Sequence, residues 1–311
     1  MRALLLILAP ICAAAAADFP QAEISAGQIR ARLYLPDPEN GYYRATRFDW
    51  AGVMPSLKYK DVEYFGQWFP RYDPKLHDSI VGPVESFDPI GFDKAKPGGT
   101  FLRIGVGLLR RPDDKPVNNF ATYEIADGGK WTTRAAKDHV EFTHDLKGVY
   151  LYRKIVRLDK DSLILEHSLK NTGKDPLETD VYNHDFYMIG GLPSGPAVTV
   201  QFPFEPHARQ DLKDMAAIHG KQLVYQRELV ARESIFTEMD GFGAAPTDYD
   251  MRVENREAKA GVRQTSDHGI SKLNFWSIRT TVCPEAYISM KIEPGKESTW
   301  RIAYEFYTLN Q

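Results

Sequence analysis

This sequence predicts an all-β fold of antiparallel strands, and three observations carry the prediction. Apolar or β-branched residues alternate with polar ones in run after run. The runs are separated by clusters of Gly, Pro, Asn and Asp, which satisfy tight reversals. Only one stretch, Pro206 to Ile218, has helical spacing. In chain order the expected strands include Ile29 to Leu35, Leu57 to Phe65, Phe101 to Leu109, His139 to Leu146, Tyr150 to Leu158, Leu163 to Leu169 and Tyr287 to Ile292. Asp127-Gly128-Gly129, Asp159-Lys160-Asp161, Asn171-Thr172-Gly173 and Glu293-Pro294-Gly295 supply turns. No low-complexity linker or internal repeat divides the chain, so roughly eighteen strands are expected in one large sandwich.

The N-terminus carries an address. Met1-Arg2 is positive, Ala3 to Cys12 is apolar, and Ala14 to Ala17 are small, the pattern of a cleaved secretory signal. Residues 1–17 are therefore expected to be a signal peptide and residues 18–311 one folded domain of a secreted, periplasmic protein. The apolar run is about half the ~20 residues a spanning helix needs, so no membrane span is expected. Cleavage would remove Cys12 and leave Cys283 as the only thiol, so the domain must fold without an internal disulfide. The 39 basic and 42 acidic residues are interspersed and sum to −3, which leaves no polyanion footprint and argues against a nucleic-acid partner. Monomer and homodimer are both compatible with this composition.

One run departs from plain alternation: Tyr42-Tyr43-Arg44-Ala45-Thr46-Arg47-Phe48-Asp49-Trp50, followed by Gly66-Gln67-Trp68-Phe69-Pro70-Arg71 and Leu76-His77-Asp78. Aromatic rings can stack on the apolar faces of a sugar, arginine can donate paired hydrogen bonds to its oxygens, and imidazole can move protons. Two later segments each set a proton-transfer residue in a strand-like run: Tyr182-Asn183-His184-Asp185-Phe186-Tyr187 and Val282-Cys283-Pro284-Glu285-Ala286. A histidine and a glutamate brought face to face are the minimum for acid and base work at neutral pH.

These pieces resemble the aldose 1-epimerase superfamily, the galactose-mutarotase-like proteins, and are most similar to its hexose-phosphate mutarotase branch. The resemblance rests on Trp68-Phe69 followed by His77, on His184 before Phe186-Tyr187, on Val282-Cys283-Pro284-Glu285, on the turn Ile292-Glu293-Pro294-Gly295 and on the closing strand Trp300 to Tyr307. It implies a single-domain β-supersandwich with a sugar or oligosaccharide site on the concave face of one sheet. Glu285 falls where the family keeps its base, His184 where it keeps the acid for the ring oxygen, and His77 where a second histidine holds the sugar. Arg47 or Arg71 takes the place of the substrate-binding arginine, and Trp68 and Asp185 complete the expected substrate-binding set. The chain departs from the family at Pro284, which demands an edge or an irregular strand. It also lacks an Asn-x-Leu-His-Gly-Gly motif, since Asp78-Ser79 follows His77.

The chemistry so implied is sugar-anomer interconversion by His/Glu acid–base catalysis, with no cofactor and no metal. A lyase using Tyr182, Tyr187 and Arg47, an inverting hydrolase using Glu85 or Asp185 opposite Glu285, and a non-catalytic sugar binder stay open as alternatives. Cys283 reads as a small buried apolar residue, and Gly105-Val106-Gly107 as a closely packed strand.

Overall fold

A computed structural model describes residues 19–309, so the expected signal peptide, residues 1–17, lies outside the described residues. Within them the alternating runs form strands, and every named strand pairing is antiparallel. His139–Leu146, Tyr150–Asp159 and Ser162–Asn171 match their expected positions to within about two residues, and each buries every second side chain. They sit beside Glu297–Thr308 and Ala260–Ser266 in a ten-stranded sheet. A six-stranded sheet runs in the spatial order His207–Ala208, Ser234–Asp240, Lys272–Ile278, Thr281–Ile292, Leu177–His184, Val84–Phe87.

The two sheets face one another across the main core. Phe87 of the smaller sheet meets Tyr152 and Trp300 of the larger edge-on, with centroids 5.8 and 6.1 Å apart. Ala286, Ile288, Met290 and Ile292 join this core from one strand. Each fully buried large apolar side chain contributes about 1.5–3 kcal/mol, enough in sum to dispense with a disulfide. Cys283 is a buried free thiol.

Three expectations on local structure are corrected. Leu57 to Phe65 forms two strands, Ser56–Tyr59 and Val62–Glu63, because Lys60 turns the chain with a φ of +55°. Phe101 to Leu109 is likewise a hairpin of Thr100–Arg103 and Gly107–Arg110. Its reversal uses Gly105 at φ +76°, where a Cβ would lie 2.4 Å from Asp49 Oδ1. The expected helix from Pro206 to Ile218 is absent. Asp211 Oδ1 caps the Lys213 N–H in a local turn, Lys213 takes φ +55°, and the flanks become His207–Ala208 and Ala216–His219. Leu212, Met215 and Ala216 are buried at the spacing of a helix face, but in a turn and a strand. Among the described residues no helix is long and apolar enough to cross a membrane.

The burial pattern changes halfway along the strand Thr281–Ile292. From Ser289 onward, core and exposed residues alternate, whereas Cys283, Glu285 and Tyr287 are buried although they lie on the same face as exposed Ser289 and Lys291. A second apolar cluster covers that half of the outer face, built from Tyr43, Phe48, Trp50, Val84, Phe101 and Phe186 with Trp68 and Trp276 against it.

Candidate active site

The site begins as a split between two strands. Leu177–His184 pairs with Thr281–Ile292 as far as Tyr182 opposite Tyr287. Beyond that point His184 pairs with Val84 on the other side, Phe186 adopts φ +50°, and Tyr187 rejoins through a bridge to Val282. A non-glycine residue in the left-handed region costs about 1 kcal/mol or more, and here it lies beside His184. The split also accommodates Pro284. Val282 donates its N–H to Tyr187, and two residues on Pro284 faces the same way, where the ladder is interrupted and no donor is required. Gly82 lets the neighbouring chain close over the strand, since a Cβ there would meet the carbonyl oxygens of Asp185 and His184 at 2.5 and 2.7 Å.

In this split His184 Nε2 lies 3.2 Å from Glu285 Oε1, and His184 Nδ1 lies 3.0 Å from Cys283 Sγ. The imidazole is flat on the Phe186 ring, with centroids 3.7 Å apart and planes 6° apart, while Trp276 meets it edge-on. Asn274, opposite Glu285 on the adjacent strand, points Nδ2 at Tyr287 Oη (3.2 Å) and, more distantly, at Glu285 Oε2 (3.4 Å).

Loops supply the facing wall. Arg47 donates from Nη1 to His77 Nε2 and from Nη2 to Tyr182 Oη, both at 2.6 Å. His77 in turn engages Asp78 Oδ1 through Nδ1 at 2.7 Å, so both of its ring nitrogens are occupied. Trp68 stacks on Phe186 and anchors its indole N–H on the Ile80 carbonyl. Together with Phe120, Phe236, Trp276 and Tyr287 these residues line a cavity of about 190 Å³. Phe120 and Phe236 are 72% and 50% exposed, so each presents much of its ring to solvent at the pocket. Among the described residues, two buried polar atoms of pocket-lining residues have no hydrogen-bond partner, Arg47 Nε and Asn274 Oδ1.

Burial governs the electrostatics. It raises the Glu285 carboxyl to about 7, against the pull of Arg47, Asn274 and Lys272. Burial, then the charge of Arg47, holds His184 well below the ordinary imidazole value. The pair therefore takes up one exchangeable proton near neutrality, and that proton belongs to the pair.

The structure brings His184, Glu285, Arg47, His77 and Trp68 to one pocket. Arg71 is exposed and does not line it, so the loop path favours Arg47. Asp185 does not line it either. One residue on from His184, it faces the core, where it accepts a hydrogen bond from Tyr304 Oη at 2.8 Å and burial raises its carboxyl well above the usual range. Glu85 is also interior, so neither carboxylate expected of a hydrolase stands opposite Glu285. Tyr187 faces the core and Tyr182 is spent on Arg47. Asn274, Phe120 and Phe236 were not singled out, because only strand register and loop path place them here. Among the described residues His184, Cys283 and Glu285 are one group with ligand atoms close enough for a metal, but thiol and carboxylate engage opposite nitrogens of the ring and do not converge on one point.

No protein-family model matches the sequence, and no curated protein does. Solved structures do match. A galactose mutarotase related enzyme from Lactobacillus acidophilus superposes with a TM-score of 0.55 at 13% identity, covering 94% of this chain and 99% of that one. A galactose mutarotase-like protein from Clostridium acetobutylicum gives 0.56 at 13% identity, over 93% and 95%. An aldose epimerase homologue from C. elegans gives 0.54 at 13% identity, over 93% and 99%. This chain therefore has the all-β, galactose mutarotase-like fold over nearly its whole described length, with the His184–Glu285 pocket on the outer face of its six-stranded sheet.

Proposed function

We propose that this protein is an aldose 1-epimerase-like isomerase that interconverts the anomers of a free sugar. The observation that carries the reading is the His184–Glu285 pair, 3.2 Å apart and nearly buried in an aromatic-walled pocket. With the shared proton on Nε2, Glu285 takes the proton of the anomeric hydroxyl and His184 gives its proton to the ring oxygen. The bond from C1 to the ring oxygen breaks and the C1 carbonyl forms. Rotation about C1–C2 presents the other carbonyl face, and reclosure runs both transfers backward, returning the proton to Nε2. Arg47 and Asn274 line this pocket, and each carries one buried, unpaired polar atom, Nε and Oδ1.

The motif likeness to the hexose-phosphate branch extends, in this proposal, to the scaffold and not to a phosphorylated substrate. Among the described residues Arg47 is the only Arg or Lys lining the pocket, and both of its terminal nitrogens are committed to His77 and Tyr182. Export by the leader at residues 1–17 belongs to the same proposal and favours a free sugar, since sugar phosphates are mainly intracellular. Polarimetry or one-dimensional NMR on freshly dissolved aldoses and uronic acids tests it. Wild type should speed interconversion, and Glu285→Gln should lose about 10²–10⁴-fold of that acceleration. Binding without acceleration on any sugar would instead make this a carbohydrate-binding protein.

A further inference from the structure

We infer that Cys283 is a positioning residue for His184: its sulfur accepts the Nδ1–H of the imidazole, which leaves Nε2 as the nitrogen that exchanges a proton with Glu285 and the sugar. The sulfur lies 3.0 Å from Nδ1, and the Asp185 backbone N–H points at it from 3.1 Å. A backbone N–H can only donate, so the sulfur already serves as an acceptor there, and with Nδ1 protonated the imidazole brings a second donor to the same atom. The strand supplies the spacing. Cys283 and Glu285 are two residues apart on one face of Thr281–Ile292, about 7 Å along the strand, and the His184 ring is gripped between them with one nitrogen toward each.

The choice of sulfur has a chemical consequence. A carboxylate at Nδ1 would orient the ring but add a negative charge that holds the imidazolium. A thiol is uncharged and a weak acceptor, so it fixes the tautomer while leaving the shared proton free to pass between Nε2 and Glu285. The proton inventory closes. Nδ1 keeps its proton throughout, Nε2 gives one to the ring oxygen on opening and recovers it on reclosure, and no thiolate forms. The tautomer is argued from the contacts of the sulfur and is independent of turnover, whereas the role of Nε2 rests on the isomerase reading.

Nitrogen-15 NMR of histidine-labelled protein at pH 8, above the loss of the shared proton, with His184→Asn to identify the signals, reads the tautomer directly. The His184 Nδ1 should show the shift of a protonated ring nitrogen in wild type. An unprotonated Nδ1 would overturn the inference, whether or not any sugar is turned over. Cys283→Ala should weaken the Nδ1–H preference and lower kcat by about tenfold or more with little change in KM, and Cys283→Ser, which restores an acceptor, should recover most of both. If Cys283→Ala keeps the tautomer and kcat, the cysteine only fills space and the inference fails. If wild type turns over no sugar while the Nδ1–H signature is present and cysteine-dependent, the isomerase reading fails and the positioning role stands.

Discussion

Two buried histidine–glutamate pairs among the described residues invite comparison: His184–Glu285 at the pocket and His167–Glu85 between the sheets. Burial is nearly the same, and the donors differ. Glu85 accepts from His167 Nε2 at 2.7 Å and Asn183 Nδ2 at 3.0 Å on one oxygen, and from the Lys154 ammonium on the other. Burial alone would raise its carboxyl, but Lys154 and His167 outweigh that and hold it low and ionised. His167 is locked between Glu85 and the face of Trp300, its ring 2° from parallel at 4.5 Å. Among the described residues no lysine bonds Glu285, Lys272 acting on it only as a nearby charge, and apart from His184 its side-chain contact is the long one with Asn274, so burial prevails and raises its carboxyl to about 7. A carboxylate whose two oxygens are both met by strong donors, one of them a lysine, is structural, whereas one left short of donors is available for proton exchange.

The sharpest way to break the comparison is to neutralise each glutamate in turn and follow urea unfolding. Glu85→Gln strands the Lys154 charge in the core and should cost about 3–5 kcal/mol. Glu285→Gln should do the reverse at pH 8, stabilising by about 2–3 kcal/mol. Because the native carboxyl binds its proton more tightly than the unfolded one, wild-type stability falls as pH rises from about 4.5 to about 7. The gain from Glu285→Gln should therefore shrink toward zero near pH 4.5. Equal signs for the two variants would erase the distinction.

The same inequality sharpens into a rate profile. If the active form carries one proton shared by His184 and Glu285, kcat/KM should decline as pH rises through about 7, where that proton leaves. A rise through the same range would mean that Glu285 works without a proton on Nε2. The smallest effect is expected at the pocket's exposed wall. Phe236→Ala should raise KM several-fold, about 1 kcal/mol of lost stacking, and leave kcat unchanged.

Much of this molecule was legible beforehand, and the gaps have identifiable causes. His139–Leu146 and its neighbours were readable because one sheet face is buried and one is not, which imposes a period of two. Lys60 and Gly105 broke two expected strands because a run of apolar residues does not record where the chain turns through positive φ. His184 and Asp185 were both candidates, yet adjacent strand residues face opposite ways, so one had to enter the core. Asn274 carried no local signal at all, since its place beside Glu285 is set by the register between two strands.

By itself the sequence determined the all-β class, and it offered His184 and Glu285 as candidates for proton transfer, because these depend on local pattern and on side-chain chemistry. Only the tertiary structure decided which histidine–glutamate pair is held by many donors and which is left with few. That depends on how many donors reach each carboxylate, and those donors arrive from distant parts of the chain: Lys154, His167 and Asn183 for Glu85, and little beyond His184 for Glu285.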